Sequence, residues 1–318
     1  MWQTCGCNQK ENKVNPIALY QHLSPIYRFF EWFAEAWQRS GGELKLDVNW
    51  PRKVRALLGR PLGFAIGSDD KPKLLVCGCH RIESCAWPWN YQYEIIPVMW
   101  DMWPGFYQPF AKFIRRNRVK TVFCTAQQSC KWIQDKFPNV KVIWMPEAID
   151  VDTFPCGPNL IDRETDVICY GRNVPQAQTA LQKLSTNGEI SYVTKTGPTF
   201  EELSTAIRNA KISICYPRCD TNPEKARGVE TLTQRYWEAM CSGTLMVGKA
   251  PKELIEVCGY NPVVELGLDV TTDIKKILAN IASYQELVDK NRKCAEERGT
   301  FDSRMKIIKD GLGLNAKC

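Results

Sequence analysis

The alternation of apolar and polar positions is most regular after residue 156. Short apolar runs are separated there by segments whose apolar residues recur every three or four positions. The run "DVICYG" (166–171) predicts a buried strand that ends at Gly171. Further strands are predicted for "EISYVTKTG" (189–197), "KISICYP" (211–217) and "TLMVG" (244–248).

Helices are predicted between these strands. In "TFEELSTAIRNA", Phe200, Leu203 and Ile207 have the spacing of one helix face. The predicted helices cover residues 175–188, 199–210, 234–243, 251–259 and the region 272–297. Strands that alternate with helices indicate a parallel sheet covered on both faces. Such sheets bind ligands beyond the carboxyl ends of their strands.

The first half of the chain is less regular. Four strands are predicted, at 73–79, 93–100, 119–125 and 140–146, with helices between the later ones, and they indicate a second open α/β unit. The aromatic stretch 17–37 is predicted to be helical, with an interruption at Pro25. We expect its aromatic side chains to pack against the domain, and contact with a membrane interface is the alternative.

Composition narrows the class of protein. The 318 residues suggest two domains. No apolar run approaches the roughly 18 residues of a membrane span, so a cytoplasmic location is expected.

The net charge of +7 is compatible with an anionic ligand, a lipid surface or nucleic acid. The basic run 112–120 is interpreted as a solvated helix end. The 15 cysteines lack zinc-site spacing and are interpreted mainly as reduced core thiols.

Three charged residues near strand ends suggest a ligand. Glu230 and Glu238 are separated by seven residues just before the strand "TLMVG", and Arg172 directly follows "DVICYG". A carboxylate accepts two hydrogen bonds from a vicinal diol, and an arginine binds a diphosphate bidentately. Together they suggest a nucleotide-sugar, although the spacing alone is equally compatible with surface residues.

Several of these segments resemble one enzyme family. "RGVETLTQRYWEAMCSGTLMVG" (227–248) resembles the E-x7-E segment of retaining group-1 glycosyltransferases of the GT-B fold (family GT4). "VKVIWMPEAIDVDTF" resembles the family's linker, and "DVICYGR" the strand that follows it. The likeness extends over about residues 119–260. It implies an α/β fold of GT-B type, with two Rossmann-like open parallel-sheet domains facing across a cleft.

The resemblance also implies domain boundaries and residue roles. Residues 1–155 would form the acceptor-side domain and 156–295 the nucleotide-sugar domain, while 296–318 would pack back on the first. Glu238 would hold the donor ribose, and Glu230 would lie beside the donor sugar. The remaining donor contacts would come from Arg172 at the diphosphate, from Gly197 in "TGPTF" near the base, and from the backbone amides of Thr231 and Leu232.

The sequence departs from the family pattern at three places. No lysine follows Arg172 closely, so Lys195 or Lys225 is expected to replace it. The usual glycine-phenylalanine-glycine after the first glutamate is "TLT" here. Asp101 stands where the family commonly has a histidine, and it is expected either to orient a substrate or to cap a loop.

The resemblance implies a hexosyl or pentosyl transferase (EC 2.4). A sugar would pass from a nucleotide-diphosphate sugar to an acceptor hydroxyl with retained configuration and no bound metal. The "DVD" at 150–152 matches a GT-A metal motif, but it lies in the linker-like segment. The acceptor is left open between a glycan, a lipid-linked sugar, a small molecule and nucleic acid. The alternatives are a non-catalytic sugar-nucleotide-binding protein and a transferase that modifies bases in DNA.

Overall fold

Two parallel β-sheets, one in each half of the chain, form the framework of the protein. The computed structural model describes residues 17–20, 28–45, 54, 57, 71–79, 82, 86–172 and 174–314. Every strand pair in both sheets is parallel. The predicted pair of open α/β units is therefore confirmed.

The first sheet has six strands in the order β2-β1-β3-β4-β5-β6. They are β1 (Ile17–Tyr20), β2 (Glu43–Lys45), β3 (Lys73–Cys79), β4 (Glu94–Trp100), β5 (Thr121–Cys124) and β6 (Lys141–Trp144). The accompanying helices are α1 (Phe29–Arg39), α2 (Tyr107–Asn117) and α3 (Gln127–Lys136). The inner positions of β3 are all buried, as a strand covered on both faces requires.

The prediction of one helical stretch over 17–37 is wrong in its first part. Ile17–Tyr20 is a strand that pairs in parallel with both β2 and β3. Pairing with two neighbours stabilises this strand more than its local pattern predicts. The helix begins at Phe29, and Pro25 lies outside the described residues. Trp32, Phe33 and Trp37 of α1 are buried within the protein, as expected for packing against the domain.

The second sheet has five strands in the order β11-β10-β9-β7-β8. They are β7 (Thr165–Tyr170), β8 (Tyr192–Lys195), β9 (Ala210–Cys215), β10 (Leu245–Gly248) and β11 (Val264–Glu265). The helices are α4 (Pro175–Thr186), α5 (Phe200–Arg208), α6 (Arg218–Thr221), α7 (Pro223–Ala226), α8 (Gln234–Cys241), α9 (Lys252–Cys258), α10 (Val270–Ala279), α11 (Gln285–Arg298) and α12 (Phe301–Gly311).

The last helix, α12, contacts the first domain. The guanidinium of Arg39 on α1 donates to both carboxylate oxygens of Asp302, at 3.2 and 3.0 Å. The ammonium of Lys309 donates to the Ser40 carbonyl at 2.6 Å. Phe301, at the start of α12, is buried and lies 6.3 Å from the Phe33 ring. These contacts tie the end of the described chain to α1.

The segment between the sheets contains two short 3₁₀ turns, Val151–Thr153 and Leu160–Asp162. Asp150 of the "DVD" motif precedes the first of them. Its Oδ2 accepts hydrogen bonds from the Thr153 amide at 3.2 Å and the Thr153 hydroxyl at 2.6 Å. The motif thus includes a local turn cap. Among the described helices, none has the length and apolar character needed to cross a bilayer.

Candidate active site

A cavity of about 350 Å³ lies between the two sheets. Its walls include residues at or just after the carboxyl ends of three strands: Trp100 and Asp101 after β4, Arg172 after β7, and Arg218 after β9. This is the edge at which open parallel sheets bind ligands. The first domain also contributes Phe29, and the second contributes Glu238 from α8.

The turn after β7 is built around Gly171. Its φ of 67° lies in the left-handed region, which favours glycine. A Cβ at this position would meet Nη2 of Arg235 at 2.7 Å. Nη1 of the same Arg235 donates to the Arg172 carbonyl at 2.8 Å. Glycine therefore lets α8 approach this turn, and Arg235 holds the backbone that carries Arg172.

Three guanidinium groups contribute to the cavity wall, those of Arg172, Arg218 and Arg235. Burial and the nearby charges of Arg218 and Arg235 lower the pKa of Arg172. Like charges so close together are stabilised when an anion binds among them. This side of the cavity therefore has the composition of an oxyanion site.

Arg218 is the most enclosed of the three. Its side chain is 8% exposed, and its guanidinium lies 4.7 Å from the centre of the Trp103 ring. Nη1 lies 3.4 Å from Oδ2 of Asp101, so the pair joins the two domains across the cavity. Nε is buried and has no hydrogen-bond partner among the described residues. A bound anion would satisfy this donor.

Glu238 supplies a buried carboxyl group to the cavity. It is 7% exposed, and burial raises its pKa to about 7, an effect that Arg235 and Tyr170 partly offset. Arg235 precedes Glu238 by three residues on α8, which places both on one helix face. The helix thus presents a cation and a carboxyl group on the same side.

Glu147, from the segment after β6, is a further carboxyl group in the cavity. It is 7% exposed, and its Oε2 accepts a hydrogen bond from the Gln234 amide at 3.0 Å, at the start of α8. Burial and the neighbouring Asp101 hold the pKa of Glu147 well above its usual value. Glu147 is not among the site residues predicted from the sequence.

Four of the predicted site residues line this one cavity: Asp101, Arg172, Gly197 and Glu238. Asp101 directly follows β4 in the left-handed conformation, with a φ of 51°. Sparsely populated backbone conformations of this kind concentrate at functional sites. The structure therefore brings residues from both predicted domains together in one cavity.

Glu230 does not line the cavity. Its Oε1 accepts a hydrogen bond from the Lys252 amide at 2.7 Å, at the start of α9. Its Oε2 lies 3.8 Å from the Lys249 ammonium. The carboxylate therefore caps a helix and forms an ion pair. The seven-residue spacing to Glu238 does not place the two carboxylates in one hollow.

The other predicted donor contacts also lie outside the cavity. Lys195 lines a separate hollow beside α5, and Lys225 lies on the exposed face of α7. Thr231 and Leu232 are buried. The Leu232 amide donates to Oε2 of Glu253 at 2.7 Å, and the Thr231 hydroxyl to the same oxygen at 3.0 Å. The Leu232 amide is thus already paired within the protein.

The cations missing from the sequence analysis are Arg218 and Arg235. Both carried a signal in the sequence. Arg218 comes directly after "KISICYP", at the carboxyl end of a predicted strand. Arg235 lies one helical turn before Glu238.

No protein-family model matches the sequence. No curated protein matches it in sequence. The structure, in contrast, is similar to several solved structures. Sucrose-phosphate synthase from Thermosynechococcus elongatus has a TM-score of 0.62 and 10% identity, over 95% of this chain and 99% of that chain.

Two glycosyltransferases show a comparable likeness. One, from Rickettsia africae ESF-5, has a TM-score of 0.56 and 10% identity, over 94% of this chain and 99% of that chain. The other, involved in avilamycin A biosynthesis, has a TM-score of 0.55 and 14% identity, over 96% of this chain and 99% of that chain. At these identities the likeness establishes the fold and not the reaction. The chain thus has a GT-B fold of two parallel-sheet α/β domains, as predicted.

Proposed function

We propose that the protein is a glycosyltransferase that moves a sugar from a nucleotide-diphosphate sugar to an acceptor hydroxyl. The observation that carries the proposal is the sharing of one interdomain cavity by Arg172, Arg218 and Glu238. Arginines match the geometry of a diphosphate, and a carboxyl group matches that of a ribose diol. The glycosyltransferases of similar fold support sugar transfer as the class of reaction.

Each group has a role in this scheme. Arg172 and Arg218 bind the diphosphate, and Arg235 holds the turn that carries Arg172. Glu238 accepts hydrogen bonds from the ribose hydroxyls. The region of Gly197 and Pro198, which lines the same cavity, contacts the base.

The reaction proceeds with retention. The bond between the anomeric carbon and the diphosphate oxygen breaks while the acceptor hydroxyl bonds to that carbon from the same face. The acceptor proton passes to the leaving diphosphate oxygen. The charge that develops on the leaving group is stabilised by Arg172 and Arg218, so the scheme uses no bound metal. Asp101, in the first domain, pairs with Arg218 of the second domain and orients the substrates.

A turnover assay tests the proposal. Purified protein is incubated with nucleotide-diphosphate sugars and a panel of sugar and lipid-linked acceptors, and free nucleoside diphosphate is measured. We expect release that depends on the acceptor and that is lost in Arg172→Ala. Binding of a nucleotide-sugar without release under any acceptor would instead favour the non-catalytic binding protein. Absence of both binding and release would overturn the proposal.

A further inference from the structure

Two carboxyl groups in the protein occupy closely similar local settings. Glu147 accepts a hydrogen bond from the first amide of α8, and Glu230 accepts one from the first amide of α9. Each therefore satisfies an amide at the beginning of a helix, where no intrahelical acceptor exists. The two residues differ in the surroundings of the carboxyl oxygen that does not accept this amide hydrogen bond. That difference separates a helix cap from a residue that can bind a ligand.

The second oxygen of Glu230 is directed to a cation. Oε2 lies 3.8 Å from the Lys249 ammonium, and that ammonium also donates to Asp220 at 3.0 Å. Glu230 belongs to this surface ion-pair network, outside the cavity. Both oxygens of its carboxylate are directed to groups outside the cavity.

The second oxygen of Glu147 lies at the cavity. The Gln234 amide donates to Oε2 at 3.0 Å, and Oε1 can accept hydrogen bonds from a ligand. The residue lines the cavity and is 7% exposed. A carboxyl group in so enclosed a place requires hydrogen-bond partners, and a ligand in the cavity can supply one to Oε1.

The backbone of Glu147 is held firmly. Its carbonyl accepts hydrogen bonds from Nη2 of Arg304 and from Nε1 of Trp237, both at 2.8 Å. Nε of Arg304 also donates to the preceding Pro146 carbonyl at 2.7 Å. Arg304 and Trp237 are themselves buried. A side chain whose support is fixed in this way can recognise a ligand by geometry.

We propose that Glu147 is a specificity-determining residue that binds hydroxyl groups of the donor sugar, the role that the family resemblance gives to Glu230. The inference rests on the proposed function. Burial and the neighbouring Asp101, Glu253 and Glu238 favour the neutral carboxyl group at Glu147. A neutral carboxyl both donates and accepts hydrogen bonds, which matches a sugar hydroxyl in both capacities.

The test compares two affinities for each protein variant. The probes are uridine, guanosine and adenosine diphosphates and their glucose or mannose conjugates, measured by calorimetry. The ratio of the two dissociation constants isolates the contribution of the sugar from that of the nucleotide. We expect Glu147→Ala to weaken the preferred conjugate roughly tenfold and the matching diphosphate less than about twofold. Glu147→Gln keeps a donor and an acceptor, so it should retain part of the sugar contribution.

The competing hypothesis is that Glu230 binds the sugar, and Glu230→Gln tests it by the same two affinities. Circular dichroism checks that every variant is folded like the wild type. A fall in the sugar contribution in Glu230→Gln, with none in Glu147→Gln or Glu147→Ala, would overturn the inference. An equal loss for diphosphate and conjugate in Glu147→Ala would also overturn it, since that indicates a structural role alone. If the conjugates bind and turn over with no effect at Glu147, the inference fails while the proposed function stands. If no conjugate binds, both fail together.

Discussion

Glu253 of the second domain accepts a hydrogen bond from the backbone amide of Gln127, the first residue of α3 in the first domain, at 2.6 Å. The same carboxyl group accepts from the Leu232 amide at 2.7 Å and the Thr231 hydroxyl at 3.0 Å. It is 3% exposed, and burial raises its pKa to about 7. One side chain therefore joins the two domains and orders the loop before α8.

Removal of this group should destabilise the protein. Glu253→Ala leaves the buried Leu232 amide and the part-buried Gln127 amide without an acceptor, and each unpaired donor costs up to about 1–3 kcal/mol. We expect a lower urea midpoint by circular dichroism and a larger radius of gyration by X-ray scattering. Glu253→Gln, which keeps one acceptor oxygen, should lose less. The matched control is Glu256→Ala. The Glu256 carboxylate is exposed, and it accepts a hydrogen bond from the Gln127 side-chain amide at 2.7 Å. Equal urea midpoints for Glu253→Ala and this control would contradict the role of Glu253.

The arginines of the cavity should determine diphosphate affinity. Arg172→Ala or Arg218→Ala removes charge-assisted hydrogen bonds of about 1.5–3 kcal/mol, which corresponds to roughly tenfold to hundredfold weaker binding. Calorimetry with a nucleoside diphosphate measures this loss. Lys195→Ala and Lys225→Ala remove cations that lie outside the cavity, and they should change the affinity less than about twofold. A larger loss from a lysine variant than from either arginine variant would restore the role first predicted for the lysines.

Arg304 should contribute strongly to the stability of the folded protein. It is 3% exposed, donates to the carbonyls of Pro146, Glu147 and Arg298, and burial lowers its pKa to about 10. Arg304→Met removes these three hydrogen bonds, although Trp237 still donates to the Glu147 carbonyl, and it should lower the free energy of unfolding by about 2–4 kcal/mol.

The exposed Arg39 provides the comparison for Arg304. Its pair with Asp302 has side chains 53% and 58% exposed, so Arg39→Ala should cost no more than about 1 kcal/mol. Denaturant titrations of both variants check the difference. Equal losses would show that Arg304 does not hold the Glu147 segment as described.

Stability should fall as pH rises from about 4.5 to 7. The pKa of Glu238 in the folded protein is about 7, above its ordinary value of 4.5, because of burial. The folded state thus binds more protons than the unfolded state in this window, so the free energy of unfolding decreases with pH. The stabilisation is complete below 4.5 and is lost through pH 7.

The side chain in Glu238→Gln does not titrate, so this variant should show a weaker dependence of the free energy of unfolding on pH. The difference from wild type should amount to up to about 3 kcal/mol between pH 4.5 and pH 7. Urea midpoints measured at pH 5, 6, 7 and 8 for both proteins provide the test. A wild-type midpoint that rises over this range, or a profile unchanged by Glu238→Gln, would contradict a buried, proton-binding Glu238.

The sheets were predictable where a strand is a continuous apolar run. The interior strand β10, Leu245–Gly248, is wholly buried, and no polar residue interrupts its apolar run. The edge strand β2, Glu43–Lys45, was missed because it has three residues and two of them are charged. Its pairing with Ile17–Tyr20 is a long-range interaction, which local periodicity does not report.

The site residues were likewise predictable only where a regular element positions them. Arg172 and Glu238 were predictable because strand ends and helix faces position them. Glu147 was not, since it lies in an irregular segment where no period indicates which way a side chain points. The position of Glu230 depends on where Lys252 begins α9, a tertiary relationship that sequence spacing does not contain.

A thermal-shift titration tests most directly whether this cavity binds a nucleotide-diphosphate sugar. Wild type and the double variant Arg172→Ala, Glu238→Gln are compared against a panel of nucleotide-sugars. A ligand at 100 times its dissociation constant should stabilise the wild type by about 2.7 kcal/mol. We predict a rise in melting temperature with at least one nucleotide-sugar, and its loss in the double variant. No shift with any member of the panel, or an equal shift in both proteins, would contradict the assignment.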